Sequence, residues 1–344
     1  MVFRRFVQVF EGENVSAAFV GGPDDLAARS GRGSGTGAVS GAGQAARRLP
    51  RRTELPTLLV ALAIYGGFAA LTWFHAVLPW WVLLPLGAYL VAWHGSLQHE
   101  VTHGHPFPNA LANELLVLPS LWLWIPFRLY RESHLAHHDD AHLTDPLEDP
   151  ESYYLDAAAW AKAGPLTRAF LRAHNTLAGR LLLGPLRCLY VFYRAELTRA
   201  LRGDAGHAKA WALHAIGVAL VLGWVSVVCQ MPFWQYLVLF VYPGMSLTLL
   251  RSFLEHQARP EVSERSVVIE AGPLMSLLFL NNNLHLVHHD KPGLPWYRIP
   301  ALYRKRRALF LASNDGYFFK GYGEVFRRYL FRAKEQPLHP AAAS

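Results

Sequence analysis

The chain alternates between long apolar stretches and blocks that carry all of its positive charge. Leu55–Leu78 and Trp80–Gln98 form one apolar pair, separated only by Pro79; Ala210–Cys229 and Phe233–Leu250 form a second, separated by a short link containing Pro232. At a rise of about 1.5 Å per residue, roughly twenty residues cover a hydrocarbon core of about 30 Å, so each block is predicted to be a spanning helix. Neither connector carries charge. Each pair is therefore predicted to be a tight hairpin whose ends return to one face, with Trp80, Trp81 and Trp234 in an aromatic belt on the other. Glu114–Phe127, with Pro119 and Pro126, and Leu181–Tyr193, broken by Pro185 and Arg187, are expected to be re-entrant or interfacial. Residues 1–50 include the Gly/Ser/Ala-rich run Gly31–Gly43 and are expected to be disordered, leaving 51–340 as one membrane-bound domain. The predicted fold is all-α: four transmembrane helices in two hairpins, with a cytosolic helical cap.

Composition supports that picture. The 344 residues are 52% hydrophobic and 17% charged, against about a quarter charged in soluble domains, and the mean hydropathy is +0.14. The formal charge of +8 raises the question of a nucleic-acid partner, but its distribution argues against one. Lys and Arg fall within residues 1–52, 128–209 and 251–334, with none in 53–127 or 210–250. Cations crowded beside apolar blocks are the positive-inside pattern, which puts the termini and both basic blocks in the cytosol. The excess of Arg over Lys and the Ala/Leu richness point to a GC-rich bacterial source, hence an inner membrane. Cys188 and Cys229 give no disulfide framework.

The chemistry lies in the histidines. His99 and His103 stand four apart at the cytosolic end of the second apolar block, and His134, His137 and His138 follow as HLAHH. His285, His288 and His289 repeat that spacing as HLVHH. For 17 histidines in this length, about 0.04 HxxHH matches are expected by chance. On a helix, positions i, i+3 and i+4 share a face, so each triplet is expected to aim three nitrogens at one point. Neutral imidazole suits iron, copper, nickel and zinc. Eight such ligands exceed what one first-row ion accepts, so two metals are expected. Carboxylates beside the boxes, Glu100, Asp139, Asp140 and Glu255, are candidates to orient the imidazoles.

These motifs resemble the membrane-bound fatty acid desaturase superfamily, whose three histidine boxes are present here as HEVTH, HLAHH and HLVHH over roughly residues 51–310. The resemblance implies a di-iron centre on the cytosolic side, holding two Fe2+ ions with O2 as co-substrate. It also implies a ninth ligand, His256 in RSFLEHQAR, and support near the centre from Asn281. The expected activity is O2-dependent oxidation of a fatty acyl or lipid hydrocarbon chain, first of all desaturation, with hydroxylation and oxidative decarboxylation to a terminal alkene as close alternatives. A free carboxylate near the metals would favour decarboxylation; Arg128, Arg131 and Arg251 are candidates to anchor one. The chain has no nucleotide fingerprint and no cysteine cluster for haem or iron–sulfur, so a separate ferredoxin-type or cytochrome-type donor is expected. Basic stretches such as Arg304–Arg307 could dock it or meet anionic lipid.

HEVTH is also an HExxH match, the signature of zinc metallopeptidases, in which Glu100 would be the general base. That reading leaves both HxxHH triplets unused, and residues 210–250 offer no acidic third ligand. A ferritin-like site needs two ExxH motifs, and only Glu100–His103 qualifies. A metal transporter would need more polar residues within the apolar blocks.

Overall fold

A computed structural model of the chain describes residues 50, 52–139, 143–201 and 205–340. The expected disorder before Pro50 lies outside the described residues. Helix α1 (Leu55–Trp73) begins with a proline in its first turn, where no intrahelical N–H is lost. It is apolar all round. Thr57, Val60, Ala61, Ile64, Phe68 and Thr72 are buried at helical spacing, while Leu55, Leu59 and Leu62 face outward. A helix with no polar face is one that lipid covers.

Residues 74–79 turn the chain into α2 (Trp80–Thr102), which packs against α1. From Gly87 to Thr102 almost every residue of α2 is buried. The short α3 (Ala110–Leu116) and an irregular stretch lead to α4 (Phe127–Asp139). Small helices α5 (Ala157–Lys162) and α6 (Pro165–His174) precede α7 (Leu177–Leu201). Then come α8 (His207–Val228), whose last six residues are π-helical, and α9 (Phe233–Glu255), with a π-helical stretch over Leu237–Val241. The remainder of the chain contains β1 (Val268–Ile269), α10 (Pro273–Leu278), α11 (His285–Asp290), α12 (Ile299–Ser313), β2 (Phe318–Phe319) and α13 (Tyr322–Tyr329).

Three helices, α1, α8 and α9, are long and apolar enough to cross a bilayer, and the protein is an integral membrane protein. Helix α2 has the length, 23 residues, but falls short in apolarity. The cause lies in its second half, where His94, Ser96, Gln98, His99 and Glu100 are shielded by protein rather than lipid. The contact between α2 and α9 depends on small residues. A Cβ on Gly87 would lie 2.7 Å from the Phe240 ring, and one on Gly244 would lie 2.5 Å from Val91 Cβ. Such close approach is how helices gain packing energy where no water is expelled. Trp80, Trp81 and Trp234 are exposed at the hairpin tips.

One expectation needs correction. Leu181–Tyr193 is not broken at Pro185, which sits inside the continuous helix α7. The fold is helical as expected, with one short strand pair beside the helices: β1 pairs in parallel with β2, Val268 opposite Phe318 and Ile269 opposite Phe319. That pair helps position the site. Leu286 N–H donates to Val267 O at 3.0 Å, and Asn283 Nδ2 donates to Ile269 O at 2.7 Å, which fixes the start of α11.

Candidate metal centre

Four elements deliver the histidines to one place. Helix α2 ends in His99 and His103, α4 carries His134, His137 and His138, and α11 carries His285, His288 and His289. His256 is the residue at which α9 stops, its backbone extended, bridged to Ser266. A turn at Leu280 and Asn281, both with positive φ, leads into α11.

All nine imidazoles come together, in two groups: His99, His103, His134, His138 and His288 in one, and His137, His256, His285 and His289 in the other. Within each group the ligand atoms lie within 4.8 Å of one another. The stacked rings of His138 and His289, 4.4 Å between centroids, join the groups.

The triplets do not converge as expected. Each is divided: His134 and His138 part from His137, and His285 and His289 part from His288. Helix geometry explains this. At about 100° per residue, i and i+4 differ by about 40°, whereas i+3 and i+4 differ by about 100°. Two side chains therefore reach one centre while the third reaches its neighbour.

Hydrogen bonds set the direction of several rings. The Nδ1 of His134 lies 3.1 Å from Glu151 Oε1, that of His137 2.8 Å from Asp149 Oδ1, and that of His285 3.0 Å from Asn282 Oδ1. Ser266 Oγ is 3.3 Å from His256 Nδ1. A ring that donates through Nδ1 presents the Nε2 lone pair inward. Asp149 is itself rigid, accepting from the backbone N–H of Thr144 and of Glu151, each at 2.8 Å.

The donor set fits metal ions. His137 and His285, with Nδ1 committed to acceptors, both turn Nε2 toward His256 Nε2, at 3.1 and 3.0 Å. One imidazole proton cannot satisfy both contacts, so at least one pair opposes lone pairs unless a cation lies between. Further Nε2 pairs, His138 with His288 and with His134, are 3.0 and 3.1 Å apart. Ligands about 2.1 Å from a metal are about 3.0 Å apart at right angles and about 3.4 Å apart at tetrahedral angles. Contacts of 3.0 to 3.1 Å, in groups that extend to 4.8 Å, are spacings that imidazoles around a shared ion can take.

Charge agrees. Burial, then repulsion from neighbouring imidazoles, pushes His138, His256, His285, His288 and His289 well below the ordinary histidine range, which keeps lone pairs free. His137 differs: against burial, Asp149 and Glu151 raise it to about 9. Glu151 answers in kind; burial pushes it up, but His134 and His137 hold it down to about 2.

The other expected supports lie as follows. Glu255 Oε1 forms an ion pair with Arg251, 2.7 Å from its Nε, and sits 3.6 Å from His285 Nδ1. Glu100 Oε2 accepts from the Trp296 N–H at 3.2 Å. Asn281 Nδ2 donates to Trp296 O at 3.0 Å, while its neighbour Asn282 makes the contacts to His285 and, at 3.4 Å, to His99 Nε2. The side chain of Asp139, and Asp140 altogether, lie outside the described residues. Asp149, Glu151, Asn282 and Ser266 were not anticipated. Asp149 and Glu151 stand in DPLEDPES, which reads as a turn, and the one available signal was an acidic run close behind a histidine box.

Two groups of clustered imidazoles, gathered at the ends of helices in a membrane protein, define a membrane-bound metal enzyme. A model of the fatty acid desaturase family matches residues 71–321, and the chain belongs to that family of membrane di-iron oxidoreductases. No curated protein matches the chain significantly.

Proposed function

We propose that the protein is an O2-dependent oxidase that desaturates a fatty acyl chain, removing two hydrogens from adjacent carbons as O2, two electrons and two protons become two waters. The observation that carries this reading is the division of nine imidazoles into groups of five and four. In it, His99, His103, His134, His138 and His288 hold one iron, and His137, His256, His285 and His289 the other. Bound iron supplies the reduction of O2 and the removal of hydrogen from an unactivated C–H bond. Glu151, Asp149, Asn282 and Ser266 orient ligand rings, and Glu255 braces Asn282 and His285. In this reading Glu100 takes no peptidase role, since its carboxylate is engaged by the Trp296 N–H.

The topology that goes with this reading has four spans. Helix α2 crosses beside α1 with its polar half wrapped by α9 and α4, and the metal site and termini face the cytosol of a bacterial inner membrane. Electrons arrive from a separate ferredoxin or cytochrome, for which the exposed Arg304, Lys305 and Arg306 on α12 offer an acidic carrier a landing.

The test is purification from membranes with elemental analysis, then reconstitution with a reductase, a ferredoxin and labelled acyl substrates. Two irons per chain and a product lighter by two hydrogens are expected. Gain of oxygen or loss of CO2 would replace desaturation by hydroxylation or decarboxylation. One zinc and no iron would overturn the reading altogether.

A further inference from the structure

Helix α7 is amphipathic in the reverse sense. Leu182, Leu186 and Leu197 face outward, 67%, 57% and 61% exposed, while Arg180 and Arg187, two turns apart, point inward. Soluble helices do the opposite. Both arginines line a cavity between α2, α7 and α9, whose walls include Trp122, Ile125, Met245 and Leu249. Glu151 and Glu255 also line it, so the cavity reaches the residues that touch His134 and His285.

The charges in this cavity do not cancel. Arg251 is paired with Glu255 at 2.7 Å, and Glu151 is engaged by His134 at 3.1 Å. Arg180 is 3% exposed and lies 4.3 Å over the Tyr153 ring, yet its Nε has no hydrogen-bond partner; the Nε of Arg187 has none either. Among the described residues no carboxylate forms an ion pair with either. Burial, and Arg180 alongside, pull Arg187 down to about 10. Two neighbouring guanidinium groups, Arg180 buried and Arg187 part-buried, call for an anion, and their planar donors match a carboxylate. The anchors expected earlier are otherwise occupied: Arg128 Nη2 donates to Glu114 at 2.8 Å, Arg251 is paired with Glu255, and Arg131 is exposed.

We propose that this cavity binds the free carboxylate of a long-chain fatty acid, gripped by Arg180 and Arg187, with its first methylenes against Trp122, Ile125 and Met245. The acyl nature of the ligand rests on the function proposed above; the requirement for an anion does not, and because a free acid beside the histidines also serves decarboxylation, the labelled products of the reconstitution above decide which reaction it undergoes. A thioester or ester carries no charge at that end and leaves both guanidinium groups unmatched.

The experiment is equilibrium binding of radiolabelled dodecanoate and of methyl dodecanoate to the full-length protein in detergent. The wild type should hold the acid at least about 10-fold tighter than the ester. Arg187→Gln should weaken the acid by about 10- to 100-fold, the range of a charged hydrogen bond, and leave the ester unchanged; Arg187→Lys should recover part of the loss. Arg180 also stacks on Tyr153, so Arg187 carries the mutational arm, with the melting temperature as a check on folding. If that variant does not fold, the acid-to-ester ratio in the wild type decides alone. Equal binding of acid and ester, or undiminished acid binding by Arg187→Gln, overturns the proposal. So does tighter, Arg187-dependent binding of dodecyl phosphate, which would assign the cavity to a phospholipid headgroup. Iron content keeps the two readings apart. An iron-loaded, active enzyme that ignores the acid sinks only this inference, whereas an iron-free protein that still prefers the acid sinks only the di-iron reading.

Discussion

The two histidine groups are built differently. The group of five draws mainly on long helices: α2 gives two histidines from a half that is buried almost throughout, α4 gives two more, and α11 adds His288. Among its members His134 is braced by Glu151, while His103 Nδ1 is buried without a partner. The group of four draws on a helix terminus, a six-residue helix and one residue of α4, and there His137, His285 and His256 each contact a side chain through Nδ1. Where the backbone is short and easily displaced, hydrogen bonds supply the rigidity; where a packed helix supplies it, they are sparse.

Removing a ligand from either side should be the severest change. His288→Ala, in the group of five, and His256→Ala, in the group of four, are each expected to abolish turnover and lower iron content, read by elemental analysis. Full activity in either would refute its place as a ligand. The braces should rank next. Asp149→Asn leaves His137 facing a weaker acceptor and should cost about 10- to 100-fold in activity or metal affinity. The asymmetry predicts a smaller loss for Glu151→Gln, because the rings of its group are held by α2 and α4; equal losses would erase the distinction. Gly244→Leu probes the scaffold. Overpacking against Val91 should cost about 1–3 kcal/mol of stability, seen as a lower melting temperature in detergent with the loss spread over both groups. Ser266→Ala should be mildest, a few-fold at most, since its 3.3 Å contact to His256 is longer than the hydrogen bonds that hold Nδ1 of His134, His137 and His285.

Much of this site could be read from residue order, and the reasons are physical. The clustered histidines were visible because helical spacing writes itself into sequence, and four-apart or HxxHH histidines at the edge of an apolar block have few other uses. His256 followed from the family resemblance. The splitting of each triplet was not visible, because a repeat says which residues share a face but not that the face looks onto two centres. Asp149 and Glu151 were missed because an acidic residue in a turn has the same local signature whether it caps a loop or props a ring. Apolar length made α1, α8 and α9 legible as spans and predicted a fourth over Trp80–Gln98, where α2 falls short in apolarity. Its polar half is tolerated because neighbouring helices enclose it, a fact of packing that hydropathy cannot carry. Arg187 looked like an interruption of an apolar stretch and Arg180 drew no reading, since only three dimensions show that α7 turns its charged side inward.

The interleaving of the triplets has a consequence for assembly. Because α4 and α11 each feed both groups, rotating either helix to suit one centre moves the arms that serve the other. Like meshed gears, they cannot be set one at a time. Capture of the first ion should therefore preset the second pocket, so half-filled molecules should be scarce in a titration with ferrous iron.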